Sequence, residues 1–386
     1  MTKPEPPAIT ARPFIMKLSN IIACSFATFS VPAIAWPGMA ELTKRIAEAS
    51  PQQEPTNGQG NQELIGDLKD GTTSPIGELI AGILQGRIDP HTDEAGYTPP
   101  GLFGSRACSA DVCCVWSYIS RDLTALFRGP SSRCNGNARA AIRLGFHDAG
   151  TWSKARAEGG DDFGGADGSI ILADGEMQRA DNRGLEAIAL EARLLGLKYG
   201  VGYGDLIQFM ATHAVVTCPL GPRFRAFVGR EDSDREALPG LLPDVNAPAA
   251  NLISLFEDKT ISAAELIALV GAHTTSRQFF VDPKRFGAPQ DETPGVWDIK
   301  FYNTTLNPRP DPAIFKFESD KKLSVHSPVA AIWQGFADPV NGQGRWNRLY
   351  ARAYIRLSLL GVNNINSKSL SGLFLPLPPT RNTYDG

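Results

Sequence analysis

From Cys108 onward, apolar residues recur three and four positions apart over most of the chain, a period that predicts helices rather than strands. The predicted helices run roughly over 111–127, 137–147, 184–197, 203–216, 247–257, 262–273, 298–306 and 343–360. The helix at 262 opens with Ser262-Ala-Ala-Glu265, a capping box in which each end satisfies the other's free backbone donor. No long alternating run and no internal repeat accompanies them, so a mainly α fold with few short strands is expected. Residues 36–107 are rich in Gly, Pro and Gln and carry only a short helical patch, IGELIAGIL at 76–84. They are expected to form an extension, either wrapped on the main body or flexibly attached to it. The principal domain is placed at 108–362, and 363–386 reads as a C-terminal tail that ends in proline-rich coil.

The first residues follow a different pattern. After Met16 and Lys17 comes the apolar stretch up to Ala33-Ile34-Ala35, a charged start, an apolar centre and small residues at the end. Residues 1–35 are therefore expected to be an N-terminal extension plus a signal peptide cleaved after Ala35, sending the protein out of the cell. The stretch is short and broken by Ser, Asn and Pro32, which argues against a membrane span. Fifteen residues precede Met16, so the start lies at either Met1 or Met16. The 386 residues are 42% hydrophobic and 20% charged, as in soluble globular proteins. A net charge of −3 gives no reason to expect nucleic acid or an anionic membrane as partner. Without Cys24, Cys108, Cys113, Cys114, Cys134 and Cys218 remain, and an oxidising compartment would pair four of the five. Zinc is disfavoured, since no CxxC pair or suitably spaced His accompanies them.

Five histidines occur: His91, His147, His213, His273 and His326. His147 follows Arg143 by four residues in the run Arg-Leu-Gly-Phe-His-Asp, so both side chains lie on one helix face. A neutral imidazole can take a proton while a fixed guanidinium holds developing negative charge. Uneven cleavage of H–O–O–H at a metal needs both, because one proton must move from the inner to the outer oxygen. The plain alternative is an Arg and a His at a buried helix end. Asp148 follows directly, and GGADGSI at 164–170 sets Gly165, Asp167 and Ser169 in an alternating oxygen pattern suited to Ca²⁺. His273 closes the last long apolar helix before Thr274, and Gly271 and Ala272 beside it are expected to leave room for a bulky planar group. Asp291, Thr293, the carbonyl of Val296 and Asp298 supply a second oxygen-rich run, hence a second calcium site. His213, in apolar surroundings, is expected to be a satisfied core or near-surface histidine, and His91 and His326 are given no role.

Over roughly residues 108–362 the chain resembles the secreted fungal haem peroxidases, class II of the plant–fungal–bacterial superfamily. The run at 143–148 is similar to the distal haem segment and VGAHTT to the proximal one. The resemblance implies two helical subdomains enclosing one haem b, with His147 and Arg143 catalytic, Phe146 at the haem and His273 as axial iron ligand. Phe146 in place of Trp separates the chain from the intracellular class. Asn182 matches the residue that sets the distal His tautomer, Glu176 the acid that braces that Asn, and Asp320 the carboxylate bonded to the axial His. The calcium ligands implied are Asp148, Gly165, Asp167 and Ser169 on one side, and Thr274, Asp291, Thr293, Val296 and Asp298 on the other. The disulfides implied are Cys134–Cys218 and a bridge from Cys108 to one of its two neighbours, preferably Cys114. The expected reactants are hydrogen peroxide and small aromatic reductants, and the expected state is a monomer.

The donor half departs from the specialised family members. Gly136, Ala140 and Phe279 stand where a manganese site needs carboxylates, and Ala268 stands where a surface Trp would relay electrons. Gln290 replaces the usual Phe near the proximal haem face, and no cysteine follows Cys218. A generic peroxidase acting on small phenols is therefore expected. The alternatives are a manganese- or lignin-type enzyme with an unrecognised donor site, and a haem- and calcium-binding scaffold with little turnover. Asn303-Thr-Thr is a glycosylation sequon.

Overall fold

The computed structural model describes residues 60–92, 97–309, 311–367, 371–373 and 377–381. The expected signal segment and its cleavage point after Ala35 lie outside them. Helices of seven or more residues are Pro75–Leu84 (α1), Val112–Phe127 (α2), Gly136–Ala149 (α3), Glu186–Tyr199 (α4), Tyr203–Thr217 (α5), Ala249–Glu257 (α6), Ala263–Val270 (α7), Lys300–Leu306 (α8), Glu318–Val325 (α9), Ser327–Ala337 (α10) and Gly342–Leu357 (α11). The mainly α expectation holds, with one antiparallel pair of three-residue strands among the described residues, Ala226–Val228 (β1) and Ser371–Leu373 (β2).

Two helical groups result from two kinds of pattern. In the first, α5 runs through the middle, buried from Gly204 to Thr217, with α2, α3 and α4 against it. A helix apolar on every face belongs in a core, and here α3 is its principal partner. The second group packs α7 against α11, with α8, α9 and α10 alongside. Trp346, Leu349, Tyr350, Ala353, Tyr354 and Leu357 form the buried stripe of α11. Cys134–Cys218 ties the approach to α3 to the end of α5, and Cys108–Cys114 closes a second bridge. Cys113 is buried.

Local capping fixes where the functional helices begin. Asn135 accepts hydrogen bonds from the amides of Asn137 and Ala138 and starts α3. Ser262 and Glu265 form the full capping box that starts α7. The predicted helix at 262–273 stops earlier, at Val270, and a tighter 3₁₀ turn at Gly271–Thr275 carries His273.

The described part of the extension is wrapped on the body. Ile65, Leu68, Ile80, Ile83 and Leu84 are buried in the core. Arg356 of α11 donates to the carbonyls of Asn61 and Glu63, and Arg352 to that of Leu84. The C-terminal tail contributes β2, which pairs Ser371 with Val228 and Leu373 with Ala226. Leu377 beyond it is buried, and its carbonyl accepts from Arg223. Short strands of this kind leave no alternating pattern long enough to be seen in sequence.

Candidate active site

Arg143 and His147 sit one turn apart on α3, as their spacing requires. Arg143 Nε donates to His147 Nε2 at 3.2 Å, and His147 Nδ1 lies 2.8 Å from Asn182 Oδ1. A guanidinium can only donate, so Nε2 carries the lone pair and Nδ1 carries the proton given to Asn182. Burial, with the charge of Arg143 behind it, holds the His147 pKa down at about 3. The imidazole is therefore a neutral base in fixed orientation. The remaining Arg143 nitrogens donate to the carbonyls of Arg183 at 2.9 Å and Asp181 at 2.6 Å.

Asn182 is braced by Glu176, through the main chain. Its amide donates to the main-chain carbonyl of Glu176 at 2.7 Å, not to the carboxylate. Two consecutive 3₁₀ turns, Glu176–Gln178 and Ala180–Asn182, aim that carbonyl at the amide. The Glu176 carboxylate instead accepts from the amide of Ala237 at 2.6 Å.

On the other group, His273 Nδ1 lies 3.0 Å from Asp320 Oδ2, with Asp320 buried. That commits the Nδ1 proton and leaves the Nε2 lone pair, the arrangement of a metal-ligating imidazole with a carboxylate behind it. Phe301 and Phe317 meet the His273 ring edge-on, at 5.5 and 5.4 Å between centroids. Gly271 does not serve to make room for a planar group: a Cβ there would stand 2.2 Å from Tyr302 Oη and 2.5 Å from Trp346 Nε1. Phe146 stacks near Phe256 and meets His147 edge-on at 5.7 Å. A cavity of about 530 Å³ opens beside Phe317, lined also by Val281, Phe315 and Val325, with Arg285 and Lys321 among its polar residues.

Two oxygen clusters flank the histidines. Asp148 and Asp167 approach within electrostatic reach, and burial together with that like charge raises the Asp148 carboxyl well above its usual range. Burial also raises Asp167, to about 6. The Ser169 hydroxyl is buried with no hydrogen-bond partner, although its amide donates to Asp167. Gly165 has φ +102°, and a Cβ there would stand 2.2 Å from the carbonyl oxygen of Leu360, so only glycine fits. In the second cluster Thr274 Oγ1 donates to Asp291, and Thr293 Oγ1 donates to Asp298 at 2.8 Å. The Val296 carbonyl oxygen is 3.5 Å from Thr274 Oγ1. Burial, and then the charge of Asp298, pushes Asp291 up to about 8 against the bond from Thr274. Paired buried carboxylates with hydroxyl and carbonyl oxygens beside them are oxygen donors that could hold a hard divalent cation. Among the described residues no three or more His, Cys, Asp or Glu side chains gather as a metal site. Each of these clusters has only two carboxylates, completed by hydroxyls and carbonyls.

Gln208 had no sequence signal beyond being polar within an apolar helix. It is buried and donates to the Gly145 carbonyl at 3.0 Å and to Asp148 Oδ2 at 3.3 Å, joining α5 to the distal helix. His213 is a satisfied core histidine, in contact with the hydroxyls of Ser120 and Thr217. Gln290 is buried, accepts from Ser276 at 2.7 Å, and leaves its own Nε2 without a partner. The five described Trp residues are all buried, so none is a surface electron relay. Phe279 and Gly136 offer no oxygen side chain for a manganese ion.

A family model described as peroxidase matches residues 119–339, more than half of the chain. A peroxidase of Arthromyces ramosus is 32% identical over 308 residues, covering 75% of this chain and 82% of the relative. A peroxidase of Coprinopsis cinerea is 32% identical over 278 residues, 67% of this chain and 75% of the relative. Ligninase LG6 of Phanerodontia chrysosporium is 32% identical over 269 residues, 65% and 71% respectively. With the two histidines, their partners and these relatives together, the chain belongs to the peroxidase family and is a fungal-type haem peroxidase, an oxidoreductase acting on peroxide.

Proposed function

We propose that the chain binds one haem b between His147 and His273, reduces hydrogen peroxide there, and oxidises small phenols one electron at a time. The observation that carries this is the pairing of a neutral, oriented His147 with Arg143 on one side and the His273–Asp320 couple on the other. His273 Nε2 would hold the iron, and Asp320 would raise the basicity of that ligand. The bound haem supplies the electron-accepting and electron-donating chemistry. His147 Nε2 would take one proton from hydrogen peroxide and return it to the departing oxygen. Arg143 holds the negative charge that develops between these steps, and Asn182 keeps the proton on Nδ1 so that Nε2 stays free.

Two calcium ions complete the reading, one on Asp148, Gly165, Asp167 and Ser169, the other on Thr274, Asp291, Thr293, Val296 and Asp298. Each would neutralise a buried pair of carboxylates beside one of the histidines. The enzyme is further proposed to be a secreted monomer, cleaved after Ala35 and carrying sugar at the exposed Asn303. No helix among the described residues is long and apolar enough to cross a membrane.

A donor panel tests the substrate class. Haem-loaded protein with peroxide is expected to turn over phenol, and to turn over Mn²⁺ and veratryl alcohol far more slowly. Steady-state rates on Mn²⁺ that rival those on phenol would contradict the proposal.

A further inference from the structure

Behind the axial histidine the second helical group contains a continuous set of oxidisable rings. Tyr302 of α8 contacts Trp333 of α10 at 5.1 Å and Trp346 of α11 at 5.7 Å between centroids. Trp346 stacks on Trp297 at 4.8 Å with the planes 7° apart. Trp297 meets Tyr350 at 4.6 Å, and Tyr350 continues to Tyr354 at 5.9 Å. The near end touches the backbone that carries His273, since Tyr302 and Trp346 occupy the space a Gly271 side chain would need. The three indoles and Tyr302, Tyr350 and Tyr354 are all fully buried. Filling a core asks only for apolar volume, which Leu or Phe supplies without a polar atom to satisfy. Here three indoles and three phenols share one connected cluster.

Hydrogen bonding decides which ring can hold a positive charge. Trp346 Nε1 donates to the Ala268 carbonyl at 2.8 Å, Trp333 Nε1 to the Tyr302 carbonyl at 3.1 Å, and Trp297 Nε1 to Asn347 Oδ1 at 3.2 Å. Tyr302 Oη donates to the Ile267 carbonyl at 2.8 Å. A phenol gives up an electron favourably only when its proton can leave, and a carbonyl is too weak a base to take it. An indole can keep its N–H proton and remain a radical cation, with the charge spread over a stacked neighbour. The Trp297–Trp346 pair is the place where those conditions meet.

We propose that this cluster is an internal electron source that protects the haem when peroxide arrives and no donor is present. The inference rests on the haem peroxidase reading above. Hydrogen peroxide takes two electrons from the haem centre and two protons from solvent and becomes two molecules of water. One of those electrons is replaced from the Trp297–Trp346 pair, which becomes an indole radical cation, while the haem centre is reduced by one electron. No bond breaks in the protein, and the indole protons stay on Nε1. Because no ring of the cluster is open to solvent, it spares the haem rather than oxidising an outside donor.

The test uses full-length haem-loaded protein, mixed with one equivalent of hydrogen peroxide without donor and frozen for electron paramagnetic resonance. The expected signal is an organic radical whose hyperfine structure changes when the protein carries ring-deuterated tryptophan, but not ring-deuterated tyrosine. In the double variant Trp297→Phe, Trp346→Phe that signal is expected to be lost. Haem bleaching by excess peroxide should then be faster, while the Soret band and the rate of reaction with peroxide hold. The isotope readout uses the unaltered protein, so it decides the matter even if the double variant does not fold. A radical that ignores tryptophan deuteration, or that persists in a folded double variant, overturns the proposal. If the unaltered protein binds no haem or fails to react with peroxide, the peroxidase reading falls, and this inference with it.

Discussion

At His147, burial and the guanidinium of Arg143 act in the same direction, both disfavouring the imidazolium. The ring is therefore neutral above about pH 3, and protonation of Nε2 begins only as the pH falls toward that value. The rate of reaction with peroxide in stopped flow is expected to stay level between about pH 5 and 8 if this base alone governs it. An inflection near 6.5, where an unperturbed imidazole titrates, would contradict the burial argument. The Arg143–His147 pair was legible because four residues on a helix bring side chains together. Asn182 lies 35 positions further on, and no local period connects it to His147. It was reached through the family resemblance alone. Gln208 was not reached at all, because one polar residue in an apolar helix carries no address for its partner.

On the scale of elements, the loop 164–169 and α3 depend on one another. Asp148 Oδ1 accepts from the amide of Gly168 at 3.1 Å, and Thr151 Oγ1 accepts from the amide of Gly165 at 3.0 Å. Without a cation, burial leaves Asp148 and Asp167 as costly neighbours at the foot of α3. Calcium at a hundred times its dissociation constant should add about 2.7 kcal/mol per site to folding stability. A chelator is therefore expected to lower the melting temperature, and added Ca²⁺, not Mg²⁺, to restore it in calorimetry. An unchanged melting temperature with both ions removed would count against the calcium assignment. Most long helices were legible from apolar period, with ends shifted by at most three residues. α9 was not, because its buried face is Ser319, Asp320, Leu323 and Ser324, three polar residues out of four. α10 does have a stripe of Val329, Trp333 and Phe336, but His326 ends α9 and caps α10, so no loop marks the boundary between them.

For the molecule as a whole, the described part of the extension is structural. Ile83 is fully buried, and the carbonyls around it hold Arg352 and Arg356 of α11. Ile83→Ala should cost about 2–5 kcal/mol in denaturant unfolding, as for other core truncations. A loss within the surface range of about 0.5 kcal/mol would make the segment an appendage. Composition could say that 36–107 lacks a core of its own, but not that its few apolar residues complete another one. β2 gave no signal for a similar reason: it is three residues long and pairs with β1, far away in the chain. It holds the C-terminal end in a chain that has no cysteine after Cys218. These outer segments pack on a body of two helical groups, one carrying His147 and the other His273, and the central claim is that those two histidines work on opposite faces of one haem. The direct measurement is the stopped-flow rate of haem-loaded His147→Ala with hydrogen peroxide. The account expects an intact Soret band and a rate lower by about 10²–10⁴-fold. An intact Soret band with an unchanged rate would contradict it.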